Sequence, residues 1–183
     1  MRLHTGTGLI HPDRILDRVG ICAGHDVADI GCGSTGHFVF PLAKRVGADG
    51  RVFAVDIQRR VLDVLRRVAL QEQLFNVEPV WGDADRHRGI RLEDERVDVA
   101  FVVNTLSSSK QPLDFVTEVA RLLRPNGIAV VLDWHATEMV LGPKKELRVA
   151  QETTKEWFER GAFTLEDEFT AGPYHYGSVF RKS

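Results

Sequence analysis

Only two cysteines, Cys22 and Cys32, occur in the 183 residues, and no paired spacing links them into a disulfide framework. That scarcity excludes a small disulfide-stapled secreted domain and leads us to expect a reduced, cytoplasmic protein. Long apolar runs are also missing. Stretches such as residues 100–103 and 128–132 fall far short of the roughly 20 residues that a membrane-spanning helix needs, and residues 1–14 contain no apolar run of the kind a targeting signal requires. Neither sign of charge is in excess: 24 Lys and Arg against 26 Asp and Glu leave a formal charge of −2, so no global positive field draws in nucleic acid or anionic lipid. The seven histidines are scattered without the H-x-x-x-H or paired-cysteine spacings of a metal site, and none is expected. No repeat, low-complexity tract or linker divides the chain, which reads as a single domain over residues 1–183.

What is present is an ordinary globular composition, 43% apolar and 27% charged. A compact domain of this size buries roughly 70% of its unfolded surface, enough for one core. A short helix is expected from Pro12, with Ile15, Leu16 and Val19 on one face and Gly20 as its stop. Strand and helix patterns then alternate. Apolar runs at residues 27–30, 52–55, 77–81, 97–103 and 128–132 are separated by helical periodicity at residues 38–46, 58–73 and 112–123. Continuous apolar strands between amphipathic helices imply a parallel sheet covered on both faces, with right-handed crossovers. A further helix is expected over residues 151–160. Strand-like stretches at 163–171 and 174–182, parted by Gly172-Pro173, should pair as an antiparallel hairpin. The fold class expected is therefore α/β: a doubly wound, seven-stranded sheet, mostly parallel, with a C-terminal antiparallel hairpin.

Between the first strand and the first long helix stands Asp26-Val-Ala-Asp29-Ile-Gly31-Cys32-Gly33-Ser34-Thr35-Gly36-His37-Phe38. Its glycines permit a tight turn and let a ligand approach bare backbone, while a helix N-terminus offers free N–H groups. Asp56 ends the second strand about 20 residues past the last glycine, where a nucleotide-binding fold holds a ribose. By itself this pattern points to nucleotide binding and leaves a nicotinamide-dependent oxidoreductase open. Cys32 occupies a loop position that needs a small side chain, and nothing around it marks a reactive thiolate.

Later blocks narrow the choice. Trp81-Gly-Asp83-Ala84-Asp85 follows the third strand, residues 97–106 carry a polar tip at Asn104 and Thr105, and residues 121–134 run from a helix through Pro125-Asn-Gly127 into the fifth strand. In order and spacing, with the glycine loop and Asp56-Ile57, these blocks resemble class I S-adenosylmethionine-dependent methyltransferases, in particular the small members similar to ubiquinone and menaquinone biosynthesis enzymes. The resemblance implies a Rossmann-like fold with S-adenosylmethionine as cofactor. It places Gly31, Cys32, Gly33, Ser34 and Gly36 along the methionine and ribose, Asp29 near the methionyl ammonium and Asp56 on the ribose hydroxyls. Asp83 is implied as the adenine-edge acceptor, with the Ala84 N–H and the Ile57 side chain on the ring. Asn104 and Thr105 are implied beside the reactive methyl. The glycine loop carries one residue more than the usual family spacing, at Ser34-Thr35.

A sulfonium is already an activated electrophile, so in-line approach in a water-poor pocket is the main requirement and a base is optional. His37, His135 and His175 are the candidates. His135 is chosen because it follows Asp133-Trp134 at the carboxyl end of the fifth strand, the edge where doubly wound sheets bind ligands. The substrate chamber is expected to gather Asn104, Thr105, Trp134 and His135, with Tyr174 or Tyr176 from the hairpin. Longer relatives roof this chamber with N-terminal helices; here the site is expected to be open, or to be covered by a short arm over residues 4–9 or by a second subunit in a homodimer. The acceptor expected is a small molecule. An RNA or protein acceptor is the alternative, carried by Arg86, His87, Arg88 and Arg91 in one loop.

Overall fold

The computed structural model describes residues 9–137 and 141–183. Strand β1 (Asp26–Ile30) is buried from Val27 onward, because its side chains alternate between two covered faces. Val27 joins the core made with the first three helices, while Ala28 and Ile30 join the core on the opposite face. The same logic sets β2 (Arg51–Asp56), β3 (Val77–Trp81) and β4 (Val97–Val103), whose residues are buried on both sides wherever helices cover them. Helix α1 (Pro12–Arg18) starts with proline and buries Ile15 and Leu16. Helices α2 (Val39–Val46) and α3 (Arg59–Gln71) pack one apolar stripe each, Val61, Leu62, Leu65 and Ala69 in the longer one. Helix α4 (Pro112–Leu122) and helix α5 (Gln151–Arg160) cover the other face.

Strand β5 (Leu123–Trp134), β6 (Phe163–Gly172) and β7 (His175–Lys182) complete a sheet of order β3-β2-β1-β4-β5-β7-β6. The β1, β2, β3, β4 and β5 pairings are parallel; β7 runs antiparallel to both β5 and β6. This is the expected seven-stranded architecture, and strand order reverses between β1 and β4, the crevice where doubly wound sheets take ligands.

One boundary differs from expectation. The fifth strand begins at Leu123, directly after α4, rather than at Ile128. Val97 pairs with Leu123 and Val99 with Ile128, so residues 124–127 bulge between two points of one register, with Asn126 at φ 63°. Arg124 in that bulge pairs with Asp98 at 2.5 Å and Asp26 at 3.1 Å, which ties down the end of the sheet opposite the glycine loop. Of the expected arm over residues 4–9, only Leu9 lies among the described residues.

Candidate functional site

The glycine loop is stitched to the end of β2. The amides of Gly31 and Cys32 donate to the Val55 carbonyl at 2.8 and 3.0 Å, and the Gly33 amide donates to Asp56 Oδ2 at 3.2 Å. Asp56 Oδ1 accepts the Gln58 amide at 2.8 Å, so its carboxylate is fixed by backbone on both oxygens and keeps lone pairs for further donors. Gly33 adopts φ 63° with open space where a Cβ would stand, so backbone there faces the crevice bare. Gly31 serves close packing instead, because a Cβ would lie 2.5 Å from Thr105 Oγ1.

Two cavities meet at this loop and share Gly31, Gly33 and Asn104 as their partition. The first, about 360 Å³, lies over the ends of β1 and β2 and is lined by Asp56, Ile57, Asp83, Ala84 and Thr105 among others. Ile57 is 53% exposed on its rim, an apolar side chain left available to cover a flat ligand. The second, about 450 Å³, lies toward β4 and β5 and is lined by Asp29, Cys32, Ser34, Thr35, His37, Phe38 and Trp134, with Gly142 and Pro143. Ser34 and Thr35 thus form part of the wall of this second chamber.

Burial dominates the electrostatics. It pushes the Asp29 carboxyl up to about 7, and the neighbouring Asp56 charge pushes in the same direction. The Cys32 thiol is also raised by burial and by both carboxylates, so it is no thiolate. Asn104 sits at φ 53°, a left-handed backbone that asparagine tolerates, with its amide held on the Leu132 carbonyl at 2.8 Å. Its Oδ1 is buried in the partition between the cavities with no partner among the described residues, the kind of orphan that a polar ligand satisfies.

Most residues singled out in the sequence thus line one cavity or the other. Gly36 does not: a Cβ there would meet Phe40 at 2.5 Å and Leu65 at 2.9 Å, so this glycine packs α2 against α3 and touches no ligand space. His135 also lines neither cavity. Its ring faces Tyr176, 6.0 Å away, and its amide donates to the Tyr174 carbonyl. The Thr105 hydroxyl lies 3.0 and 3.2 Å from the Val103 and Ile30 carbonyls, which take its proton. Tyr176 fills the flank of the sheet, its hydroxyl 2.7 Å from that of Thr154 and donating to the Val149 carbonyl. His175 is fully buried against Trp134, ring centroids 4.1 Å apart. His37 is the histidine that does line the second chamber. Its Nε2 lies 2.9 Å from the Ile10 carbonyl and must donate to it, leaving Nδ1 unprotonated in the neutral ring.

Sequence reading missed the chamber wall at Gly142-Pro143, where the turn-forming dipeptide was a signal, and Asp85, which binds the Ser109 hydroxyl at 2.5 Å and the Lys110 amide at 2.8 Å. The loop arginines stay exposed while making local contacts: Arg86 pairs with Asp83, Arg88 with Asp94, and Arg91 lies over the Trp81 ring. Among the described residues no cluster of three or more His, Cys, Asp or Glu could hold a metal ion, and no helix is long and apolar enough to cross a membrane.

A family model described as a methyltransferase domain matches residues 22–171. Demethylmenaquinone methyltransferase of Lactococcus lactis is 27% identical over 120 residues, 66% of this chain and 46% of that protein. The 2-phytyl-1,4-naphtoquinone methyltransferase of Nostoc punctiforme is 31% identical over 113 residues, 62% of this chain and 48% of that protein. The crystal structure of an S-adenosylmethionine-dependent methyltransferase from Aquifex aeolicus superposes with a TM-score of 0.88 at 25% identity, covering 96% of this chain and 91% of that one. The chain spans about half the length of the curated relatives it matches.

Proposed function

This chain belongs to the class I S-adenosylmethionine-dependent methyltransferases, and we propose that it transfers a methyl group from S-adenosylmethionine to a small aromatic acceptor bound between the glycine loop and Trp134. The observation that carries this reading is the pair of cavities divided by Gly31, Gly33 and Asn104, since a ligand with a nucleoside at one end and an amino acid at the other fits a site in two parts. In the first cavity Asp56 accepts the ribose hydroxyls, Ile57 covers the purine face, and Asp83 with the Ala84 N–H meets the adenine edge. In the second, Asp29 meets the ammonium beside Cys32 and Ser34. The orphaned Asn104 Oδ1 at the partition is satisfied by a donor of the bound ligand.

When bound, S-adenosylmethionine supplies an electrophilic methyl carbon. The protein's own work is then to orient the acceptor and exclude water. Trp134 and Phe38 give the chamber aromatic surface, and Thr105 supports the glycine loop by filling the space beside Gly31. His37 Nδ1 takes the acceptor's proton where one must leave, a role that passes from His135 because His37 is the histidine lining the chamber. The relatives' names carry naphthoquinone-type acceptors, and we take a hydroxylated aromatic of that class as the substrate here.

Titration calorimetry with S-adenosylhomocysteine tests the site. Asp56→Ala should weaken binding at least about tenfold, roughly the 1.4 kcal/mol expected from losing a charge-assisted hydrogen bond. Equal affinity in wild type and variant would remove the ribose assignment. Methyl transfer from labelled S-adenosylmethionine to 1,4-naphthoquinol tests the acceptor.

A further inference from the structure

Beyond Trp134 the second chamber is walled by irregular backbone, whose carbonyls need partners that no helix or strand supplies. One side chain supplies them. Arg148 Nε donates to the Pro143 carbonyl at 2.9 Å, Nη1 to those of Thr137 and His135 at 2.7 and 3.2 Å, and Nη2 to that of Leu141 at 3.0 Å. Four carbonyls from both arms of the turn thus converge on one planar fork. The guanidinium carbon also lies 5.9 Å from the centroid of the Trp134 ring.

The turn held in this way presses on Trp134. Gly142 adopts φ 91°, and a Cβ there would lie 2.7 Å from the indole Cε3 and Cζ3 atoms, so its bare backbone rests on the ring. On β7, His175 stands opposite Trp134 in the strand register, its ring tilted against the indole at 4.1 Å between centroids. The indole is therefore clamped between a strand and a turn. Trp134, Gly142 and Pro143 face the chamber together, while none of them lines the first cavity.

We propose that Arg148 is a positioning residue for the methyl acceptor: by gathering these carbonyls it fixes the wall formed by Trp134, Gly142 and Pro143, and so sets which acceptors fit, without acting on the nucleoside end of the site. The proposal rests on the acceptor reading of the second chamber. Lysine keeps the charge but is a compact ammonium with three donors, and cannot span the four carbonyls that the fork reaches.

Arg148→Lys separates this role from general damage. Amide hydrogen exchange over residues 135–137 and 141–147 should quicken about tenfold, with α2 and β1 unchanged, since their carbonyls lose a shared partner. Affinity for S-adenosylhomocysteine should stay within about twofold. With 1,4-naphthoquinol as the probe, KM should rise about tenfold while kcat falls much less, the signature of a loosened acceptor wall. Methylguanidinium added to Arg148→Ala should recover part of the lost KM. Unchanged exchange over residues 135–137 and 141–147, or S-adenosylhomocysteine affinity falling in step with KM, would overturn the proposal. Wild-type protein that fails to bind S-adenosylhomocysteine overturns the cofactor reading and the acceptor role together. Wild type that binds it but leaves naphthoquinol unmethylated overturns only the choice of acceptor, and exchange and cofactor affinity still decide Arg148.

Discussion

At the scale of single residues the site is a set of polar groups held short of water. Asp29 is buried, and its carboxyl is pushed up to about 7 by that burial first and by the Asp56 charge second. Burial therefore favours the neutral acid below pH 7, whereas a ligand ammonium favours the carboxylate. For stability the sign is that of a raised acid: Asp29 stabilises the fold fully below the unfolded carboxyl value, and the contribution is lost as pH rises through about 7. For binding the sign is opposite. S-adenosylhomocysteine should bind more tightly as pH rises from 6 to 8, with proton release on binding and a slope approaching about tenfold per unit below 7. Asp29→Asn should bind weakly with a flat profile. Calorimetry in buffers of different ionisation enthalpy checks both, and a wild-type profile as flat as the variant's would rule out Asp29 as the ammonium's partner. The positions of both carboxyls were legible in the sequence because Asp29 lies in the strand that runs into the glycine loop and Asp56 ends the next strand. Gly36 and His135 line neither cavity: a glycine needed for packing and one needed for a ligand look alike in a string of letters, and one residue past a strand end is enough to turn a side chain away.

At the scale of elements, α4 does more than cover the sheet. Glu118 is fully buried, yet its two oxygens accept the amides of Arg88 and Ile90 at 2.9 Å each, together with Arg121 at 2.7 and 2.9 Å. Arg121 in turn donates to the Ile90 and Leu92 carbonyls and to Asp94. Ile90 bridges back to Gly82, and the Asp83 amide donates to the Gly89 carbonyl, so the helix anchors the loop that holds Asp83 and Ala84 at the first cavity. Burial alone would raise the Glu118 carboxyl, but the bonds from Arg121, Ile90 and Arg88 outweigh it and hold the group below its ordinary value. Its stabilisation is thus present above the unfolded carboxylate value and lost as pH falls through the lower folded one. Glu118→Gln should lower stability by about 3 kcal/mol, as expected when one partner of a buried ion pair is removed. Urea unfolding measures this, and a change below about 1 kcal/mol would reduce the network to a surface-grade pair. The position was readable, since residue 118 shares the helix face of Phe115, Val119 and Leu122 by three- and four-residue spacing. Its partners were not, because residues 88–94 lie some 30 positions away and carry no periodicity.

At the scale of the molecule, the order of strands followed from βα alternation and handedness, and the Gly172-Pro173 turn marked the hairpin that closes against β5. The partition of the crevice into two cavities did not follow, because it depends on where Asn104 and the glycine loop come to rest in space. The seam between the parallel and antiparallel parts is closed at its upper end by Trp134 against His175. That histidine is fully buried, neither ring nitrogen has a partner among the described residues, and burial, aided by His135, lowers it to about 4. It stays neutral in the fold while an unfolded histidine titrates near 6.5, so its effect is a loss of stability as pH falls from about 6.5 toward 4. Asp29 and Asp133, both raised to about 7 chiefly by burial, act the other way over that range, since the fold keeps protons that the unfolded chain releases. Two carboxyls therefore oppose one imidazole, and these three groups together should make the protein more stable at pH 5 than at pH 7. His175→Phe keeps a flat ring against Trp134 and removes two polar atoms that have no partner. It should stabilise the fold by about 1 kcal/mol at pH 7, and the gain should grow by about 2 kcal/mol on going to pH 5, because the variant no longer withholds a proton that the unfolded chain takes up. Thermal unfolding of both proteins from pH 7 to 5 gives the answer: a difference in Tm that stays constant across the range would mean that His175 titrates in the fold as it does in water.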